Sequence, residues 1–370
     1  MKKLFETSQI GGMNLANRFV RSATWEGLAT AEGGVTPRLI ERMTRLARGG
    51  VGLIISSHTY VRPEGQATPW QLGIYKDELI PGLSEMAGAV HKNRGRIVLQ
   101  LAHAGAFAAE SVIDRLPLAV SNYEGLADSP RKQISRQDIE ELVGAFADGA
   151  RRAKAAGFDG VELHAAHGYL LSQFFSPLYN RRRDEYGGSV ENRARVCLEI
   201  LSAIRETVGR DYPVLIKMNG QDYSRGGLVR EESVQIAQLL AEVGIDAVEV
   251  SGGLLKSIKT SPSRPRIDQV EKEVYFREDA RLFKKVLTIP LILVGGIRSF
   301  EVAEQLVADG EADYISMSRP LIREPELVSR WQAGDRRRAE CTSDNLCFAP
   351  GFKGEGVYCV SREKETTQIS

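Results

Sequence analysis

Short apolar runs alternate with longer amphipathic stretches along most of the chain, and this alternation constrains the fold more than any other feature. It is typical of βα units, in which parallel strands are joined by helices. Eight βα units fit a barrel of the usual kind, so the predicted fold class is α/β, a (β/α)₈ TIM barrel. The predicted strands are Arg18–Ser22, Val51–Ser56, Ile97–Leu101, Gly160–His164, Val214–Met218, Ala247–Val250, Leu291–Gly295 and Tyr314–Ser318.

Two helix starts and two long loops support this organisation. Thr36 precedes a proline, which gives an N-cap residue followed by proline at the first helical position. Ser135 and Asp138 have the spacing of a capping box before a long amphipathic stretch. Residues 105–136 and 252–274 exceed ordinary loop lengths, and we expect both on the side that carries the site. A doubly wound open sheet is the alternative fold, but no GxGxxG motif follows an early strand.

The composition is that of a soluble globular protein, with 42% hydrophobic and 26% charged residues in a chain of 370. A net charge of +1 gives no argument for binding to nucleic acid or to an anionic membrane. The apolar runs are too short for a transmembrane helix, and the N-terminal segment lacks the apolar stretch of a secretory signal. Four cysteines in a chain of this length do not suggest a disulfide framework. We therefore expect a cytoplasmic protein with reduced thiols.

The segment Val161–Tyr169 carries the strongest chemical signal. An apolar run ends in His164 and His167, and Tyr169 follows two residues later. Polar side chains at the C-terminal ends of barrel strands form the active site in this fold. Two imidazoles would hold a polarised oxygen, and a phenol would deliver a proton. The structural alternative is a pair of histidines whose hydrogen bonds are satisfied by the backbone at a strand end.

The ends of the last two predicted strands indicate a phosphate site. Gly295 and Gly296 follow the seventh strand, and glycine lets backbone amides approach an anion closely. Ser318 and Arg319 follow the eighth strand, and arginine offers a fixed fork of donors to phosphate oxygens. Loops after strands seven and eight are the usual phosphate position in these barrels. The alternative is a glycine turn that backbone geometry alone requires.

Two further polar residues are predicted at the inner wall of the barrel. Gln100 comes late in the third strand, where its amide would either meet the edge of a flavin or fill a barrel layer. Lys217 ends the fifth strand and should have an anionic partner, because burial of an unpaired charge is costly. It would either stabilise a reduced flavin or act as a Schiff-base nucleophile.

Together these segments resemble the old yellow enzyme family of FMN-dependent ene-reductases. The resemblance covers roughly Met1–Trp331, and it rests on NRFVRSA, QLAHAG, HAAHGYLLSQFFSPLYNRRRDEYGGSVENR, the VGGI turn and the final Ser-Arg pair. It implies a (β/α)₈ barrel that binds FMN at its C-terminal mouth, with NAD(P)H as the reductant and a small molecule as the substrate. The oligomeric state stays open between a monomer and a homo-oligomer.

The resemblance also implies roles for individual residues. His164 and His167 would donate hydrogen bonds to the substrate carbonyl oxygen. Tyr169 would protonate the α-carbon while reduced FMN gives hydride to the β-carbon. No metal ligand is expected. The expected cofactor contacts are Ala23, Thr24, Trp25, Gln100, Lys217, Gly295, Gly296, Ser318 and Arg319.

Four places depart from the family pattern. The run Ala23–Trp25 stands where proline and then threonine or cysteine are frequent, which puts the redox poise of the flavin in question. His58 stands where a small residue is usual, and we expect it to turn outward, away from the flavin. Lys217 replaces a common arginine and loses the bidentate fork, and Ser318 replaces a common glycine.

Residues 336–370 are predicted to form an extension to an FMN-binding barrel of residues 1–335. The extension resembles the segment that holds a [4Fe–4S] cluster in larger relatives, but Asp344 stands in place of one cysteine. Cys197 is expected in the helical core, so four thiolate ligands are not available. We therefore expect a vestigial motif without a stoichiometric cluster. The cysteines of the extension are Cys341, Cys347 and Cys359.

The leading hypothesis is an NAD(P)H-dependent FMN ene-reductase that acts on α,β-unsaturated carbonyl compounds. A flavin-dependent dehydrogenase or demethylase of the same family is the nearest alternative. A flavin-free aldolase or lyase that uses Lys217 is the alternative from another class, and a flavin-binding protein without turnover is a third. The sequence does not predict the natural substrate or the choice between NADH and NADPH.

Overall fold

Eight parallel strands form a closed barrel in the computed structural model, which describes residues 3–123, 125–127, 129–255, 257 and 259–369, without the side chains of 366–369. The second strand pairs with both the first and the third, which closes the ring. The predicted (β/α)₈ barrel is therefore confirmed, and the open sheet is wrong. The strands are β1 (Phe19–Arg21), β2 (Leu53–Ile55), β3 (Ile97–Ala102), β4 (Gly160–Ala165), β5 (Val214–Asn219), β6 (Ala247–Ser251), β7 (Leu291–Leu293) and β8 (Tyr314–Met317).

Helices connect the strands and cover the outside of the barrel. The side chain of Thr36 accepts the backbone N–H of Leu39, and Ser135 forms the expected capping box with Asp138. The helices are α1 (Pro37–Arg48), α2 (Ile80–Lys92), α3 (Arg136–Ala155), α4 (Val190–Val208), α5 (Arg230–Val243), α6 (Arg277–Val286), α7 (Phe300–Ala308), α8 (Arg319–Arg323) and α9 (Leu327–Gln332). Three further helices span Glu110–Ile113, Leu170–Phe175 and Val360–Ile369. No helix within the described residues has the length and apolar character needed to cross a membrane.

The amino-terminal end of the barrel interior is apolar and is covered by a hairpin. The antiparallel strands Ser8–Ile10 and Met13–Leu15 form this hairpin, and their apolar side chains pack into the barrel. We call the strand residues beneath it the lower layer. The lower layer consists of Val20, Leu53, Ile55, Val98, Leu215, Ala247, Ile292 and Tyr314.

The next layer of the interior, towards the carboxyl ends of the strands, is polar. Side chains two residues apart on a strand point to the same face, so the residues that follow the lower layer by two positions also face inward. We call the buried polar side chains at this level the upper layer, and Glu162, two residues after Gly160 on β4, belongs to it. The upper layer consists of Ser22, Gln100, Glu162, Lys217, Glu249 and Ser316.

The C-terminal extension packs against loops at the carboxyl ends of the strands. The backbone N–H of Ala339 donates to the carbonyl oxygen of Arg298 at 2.9 Å, and that of Val357 donates to Glu26 at 2.8 Å. Short 3₁₀ turns span Leu346–Phe348 and Gly351–Lys353. The extension therefore helps to form the mouth of the barrel. The long loop 252–274 lies at the same end, and its residues 256 and 258 are outside the described part of the chain.

Candidate active site

A cavity of about 450 Å³ opens at the carboxyl ends of the barrel strands, within the usual volume range of ligand sites. All the predicted site residues line it except Gly295. The roles assigned to these residues stay predictions. The predicted residues that line the cavity are Ala23, Thr24, Trp25, Gln100, His164, His167, Tyr169, Lys217, Gly296, Ser318 and Arg319.

The two histidines and the tyrosine form one cluster at the end of β4. The rings of His164 and His167 have centroids 5.4 Å apart, and the Tyr169 ring lies 4.5 Å from that of His164. His167 has a left-handed backbone with φ of 65°, and its backbone N–H donates to Asn219 Oδ1 at 3.1 Å. Its ring Nε2 lies 2.8 Å from the hydroxyl of Ser251. These bonds fix the position of the second imidazole beside the first.

Burial determines the protonation of this cluster. It lowers the pKa of His164 and of His167 well below the usual value, and the nearby charge of Lys217 lowers both pKa values further. Burial raises the pKa of Tyr169 well above that of a free phenol. Both imidazoles are therefore neutral and the phenol keeps its proton at neutral pH. His164 Nδ1 is buried and has no hydrogen-bond partner among the described residues.

His58 lies at the mouth of the barrel and faces the cavity, so the expectation that it turns outward was wrong. Its ring stands edge-on to Tyr169 at a centroid distance of 5.5 Å, and only 7% of the residue is exposed. Burial lowers the pKa of His58 to about 4. Thr59–Tyr60 pairs with the end of β3, and this pairing holds His58 over the mouth of the barrel. The sequence did not predict this pairing.

Lys217 has the anionic partner that its burial requires. Its Nζ lies 3.2 Å from Oε2 of Glu249 and donates to the Ser22 hydroxyl at 2.7 Å. Oε1 of Glu249 accepts hydrogen bonds from Ser22 and from Ser316. Sequence reasoning missed Glu249, although a charged residue inside the apolar run AVEVS was a usable signal.

A second carboxyl group lies on the other side of the upper layer. Gln100 Nε2 donates to Oε2 of Glu162 at 2.7 Å, and Glu162 is fully buried. Burial raises the pKa of Glu162 well above the usual value, and the nearby carboxylate of Glu249 raises it further. Glu162 therefore holds a proton at pH values where a free carboxyl is ionised. This residue was also missed, although it interrupts the apolar run before His164.

The turn after β7 brings backbone close to the cavity. Gly296 has φ of 78°, and a Cβ added there would lie 2.7 Å from the Tyr275 ring. Gly295 lies behind this turn, and its carbonyl oxygen accepts the backbone N–H of Tyr275 at 3.1 Å. The hydroxyl groups of Ser318 and Thr24 are 2.7 Å apart on the neighbouring wall. Only glycine fits at Gly296, because a side chain there would meet the Tyr275 ring.

Two buried arginines join this turn to the C-terminal extension. Arg319 donates through Nη1 to the carbonyl oxygen of Arg264 and to Oδ1 of Asn345, at 2.9 and 2.7 Å. Arg298 lines the cavity and donates to the backbone of Cys341 and to the Ser343 hydroxyl. Its Nε is buried without a partner in the described part of the chain. The predicted phosphate site therefore contains a second cation that sequence reasoning missed.

Aromatic side chains of the C-terminal extension complete the wall beside Trp25. The Trp25 and Phe352 rings have centroids 4.7 Å apart, and Phe348 and Asn345 also line the cavity. Nothing in the sequence placed these residues at the site, because more than 300 positions separate them from Trp25. The extension therefore contributes directly to the cavity.

The cysteine segment contains one buried thiol, that of Cys347. Burial raises the pKa of Cys347 to about 12, and Asp344 accepts hydrogen bonds from the Ser361 hydroxyl and from the backbone N–H of Leu346. No group of three or more potential ligands is placed to hold a metal ion among the residues that are described. The absence of a cluster stays a prediction. Cys197 lies in α4 and is buried in the core, as expected.

The donors and shape of the cavity fit FMN. Polar atoms that are buried without partners in the described residues include His164 Nδ1, Trp25 Nε1 and Arg298 Nε. The backbone turn at Gly296 and the two arginines suit a phosphate, and Gln100 and Lys217 add polar side chains to the wall of the same cavity. The residues present can therefore hold this cofactor.

Similar sequences identify the family. The chain matches the NADH:flavin oxidoreductase / NADH oxidase family over residues 3–337. An NADH oxidase from Thermoanaerobacter brockii is 40% identical over 93% of this chain and 53% of its own length. An NADPH dehydrogenase from Geobacillus thermodenitrificans is 38% identical over 87% of this chain and 91% of its own length. The chain thus spans about half the length of some curated relatives and most of the length of others.

Solved structures agree with the sequence matches. A 2-naphthoyl-CoA reductase complex superposes with a TM-score of 0.90 at 29% identity, over 96% of this chain and 56% of that chain. An old yellow enzyme homologue from Zymomonas mobilis superposes with a TM-score of 0.79 at 26% identity, over 98% of each chain. The chain therefore belongs to the NADH:flavin oxidoreductase family, which includes the old yellow enzyme homologues and uses FMN with NAD(P)H as reductant.

Proposed function

We propose that the protein is an NAD(P)H-dependent ene-reductase that reduces the carbon–carbon double bond of α,β-unsaturated carbonyl compounds. When bound, FMN supplies the hydride carrier between NAD(P)H and the β-carbon. The observation that best supports this proposal is the pair of neutral histidines beside a protonated tyrosine, His164, His167 and Tyr169. Such a group can hold a carbonyl oxygen and protonate the adjacent carbon.

The histidines would bind the carbonyl oxygen as neutral donors. Each neutral imidazole has one N–H, and the partner of His167 Nε2 is the Ser251 hydroxyl, which fixes the ring orientation. Hydrogen bonds from both rings withdraw electron density from the conjugated alkene and stabilise the enolate oxygen that forms after hydride addition. The N–H groups provide this stabilisation without a change in their own protonation.

Tyr169 would deliver the proton to the α-carbon. Its raised pKa keeps the phenol protonated across the physiological range, and its ring lies next to His164. A positioned acid contributes about 10²- to 10⁴-fold to a rate that depends on proton transfer. The general acid therefore lies beside the group that binds the substrate oxygen.

Cofactor binding would use the rest of the cavity wall. We assign Gln100 and Lys217 to the flavin ring, and the run Ala23–Trp25 to its neighbourhood. The phosphate would be held by Gly295, Gly296, Ser318 and Arg319. The flavin-free aldolase hypothesis is weaker, because Lys217 Nζ is already engaged by the Ser22 hydroxyl and the Glu249 carboxyl group.

The test separates the two half-reactions of a Tyr169→Phe variant. Reduction of bound FMN by NAD(P)H should continue almost unchanged, and reoxidation by cyclohexenone should slow by roughly 10²-fold or more in stopped-flow measurements. Nitroalkenes need the proton less at the hydride step and should be affected less. A Tyr212→Phe variant is the matched control, because that phenol bonds the carbonyl oxygen of Phe158 away from the cavity.

Unchanged reoxidation by cyclohexenone in Tyr169→Phe would remove this residue as the proton donor. A dehydrogenase or demethylase would give fast FMN reduction by an amine and no turnover of enones, and a binding protein would give neither. A panel of enones, maleimides and dienoyl thioesters under anaerobic conditions would define the small-molecule substrate.

A further inference from the structure

Two buried carboxyl groups in the upper layer have no part in the proposed reaction. Glu162 on β4 and Glu249 on β6 are both fully buried, and inward side chains from alternate strands share one layer of a barrel. Oε1 of Glu162 has no hydrogen-bond donor among the described residues, and the Lys217 ammonium is the cation that faces Oε2 of Glu249, at 3.2 Å. A proton shared between the two carboxyl groups would give Oε1 of Glu162 a partner, since two carboxylates that share a buried site retain one proton.

Charges around the pair add up to zero only when it holds one proton. Lys217 contributes the one nearby cation among the described upper-layer residues, at 3.2 Å from Glu249. Gln100, Ser22 and Ser316, the other polar neighbours, are neutral. The titratable groups that face the layer from above are His58, His164 and His167, which are neutral at pH 7, and the lower layer beneath contains no ionised group.

Reduction of the cofactor would disturb this balance. The proposed function places the flavin ring against Lys217, and this step of the inference rests on that placement. The negative charge that a reduced flavin carries would draw on the same ammonium group that now neutralises Glu249. A carboxylate that loses its cation in a dry interior becomes easier to protonate.

We propose that Glu162 and Glu249 share one proton when the bound FMN is in its oxidised state. When FMN becomes reduced, the pair takes up a second proton from solvent. The two electrons and one proton of the hydride come from NAD(P)H. The additional proton forms one O–H bond on the carboxyl pair, and no other bond changes there. The pair is thus a proton-binding site that keeps the interior neutral in both redox states.

The decisive measurement is the midpoint potential of bound FMN as a function of pH, from about pH 6 to about pH 9, with a dye-linked reductant that needs no alkene substrate. Over the upper part of this pH range, the slope of the midpoint potential against pH should correspond to two protons per two electrons. The absorption spectrum of the reduced flavin should be that of the anion there, which places the second proton on the protein.

Glu162→Gln and Glu249→Gln should each lower the slope to one proton per two electrons. Glu64→Gln is the matched control and should keep two, because Glu64 is a buried glutamate that pairs with Arg62 outside the cavity lining. A one-proton slope in the unmodified protein would overturn the proposal. A neutral reduced flavin across the range, or a two-proton slope retained in both glutamine variants, would also overturn it.

An infrared difference spectrum of the unmodified holoprotein gives a second test that needs no variant. Reduction should produce a new carboxylic acid C=O band, and the absence of such a band would contradict the proposal. Loss of enone turnover without a change in the slope would count against the ene-reductase proposal and leave the proton site intact. A preparation that retains no FMN would instead contradict the cofactor placement.

Discussion

The lower and upper layers of the barrel interior share five strands, on which they lie two residues apart, but one layer is apolar and the other is polar. Leu215 and Ala247 face the interior in the lower layer, and Lys217 and Glu249 follow them in the upper layer. Burial of apolar side chains stabilises the first layer. Burial of charged groups in the upper layer has a desolvation cost, and ion pairing offsets that cost only in part. The upper layer is therefore better explained by binding than by stability.

The largest effect is expected for the site above the upper layer. We expect phenolic ligands to give a long-wavelength charge-transfer band with oxidised FMN, because His164 and His167 would hold the phenolate oxygen. Loss of two hydrogen bonds to a charged oxygen, at about 1.5–3 kcal/mol each, should abolish the band in the His164→Ala/His167→Ala double variant. Titration with a phenol measures it. His91→Ala is the control, because that histidine lies in α2. A band of undiminished strength would remove the pair from the oxygen site.

A substitution in the lower layer should reduce stability without changing the ligand. Leu215→Ala removes a fully buried side chain and should lower the free energy of unfolding by about 2–5 kcal/mol. FMN affinity of the folded protein should stay the same. Urea unfolding and flavin titration measure the two quantities separately. Weaker FMN binding with unchanged stability would show that the two layers do not divide these tasks.

Arg319→Ala should weaken FMN binding by about 1.5–3 kcal/mol, because it removes a charge-assisted contact to the phosphate. The dissociation constant of FMN from reconstituted protein is the measurement. Arg323→Ala is a matched control, since Arg323 is a buried arginine of the same helix that pairs with Glu340 and Glu365. Unchanged retention of FMN in the Arg319 variant would contradict the assigned phosphate site.

The smallest effect is a pH dependence of stability that Glu162 should cause. The pKa of Glu162 is raised in the folded state. The contribution of this carboxyl group to the free energy of unfolding is therefore fully present below the ordinary carboxyl pKa, and it is lost as the pH rises towards the pKa of the folded state. Glu162→Gln should therefore gain stability relative to the unmodified apoprotein as the pH rises above the ordinary carboxyl pKa, by up to about 1.4 kcal/mol over the first pH unit. If the free energy of unfolding changes with pH in the same way in both proteins, the pKa of this carboxyl group is not raised by folding.

The sequence predicted the fold well because each barrel strand is a local feature. Every predicted strand overlaps an observed one, since an apolar run between turn residues needs no distant partner to be identified. The cluster His164–Tyr169 was predicted for the same reason, because its members are close in sequence and follow one strand.

Contacts that depend on closure of the barrel could not be predicted. Glu249 meets Lys217 only because β5 and β6 pair in a particular register, and Asn345 reaches Arg319 only because the extension folds back over the mouth. The orientation of His58 depends on a two-residue strand too short to leave a sequence pattern. These contacts depend on tertiary geometry, which cannot be predicted from local sequence patterns.

The N-terminal hairpin has a consequence for kinetics. Because residues 8–15 cover the amino-terminal end of the barrel, the described cavity opens at the carboxyl end. In the proposed reaction, reductant and alkene would then reach the flavin through the same opening and would occupy it in turn. Steady-state plots at several concentrations of either reactant should give parallel lines, and a high concentration of one reactant should inhibit its partner competitively.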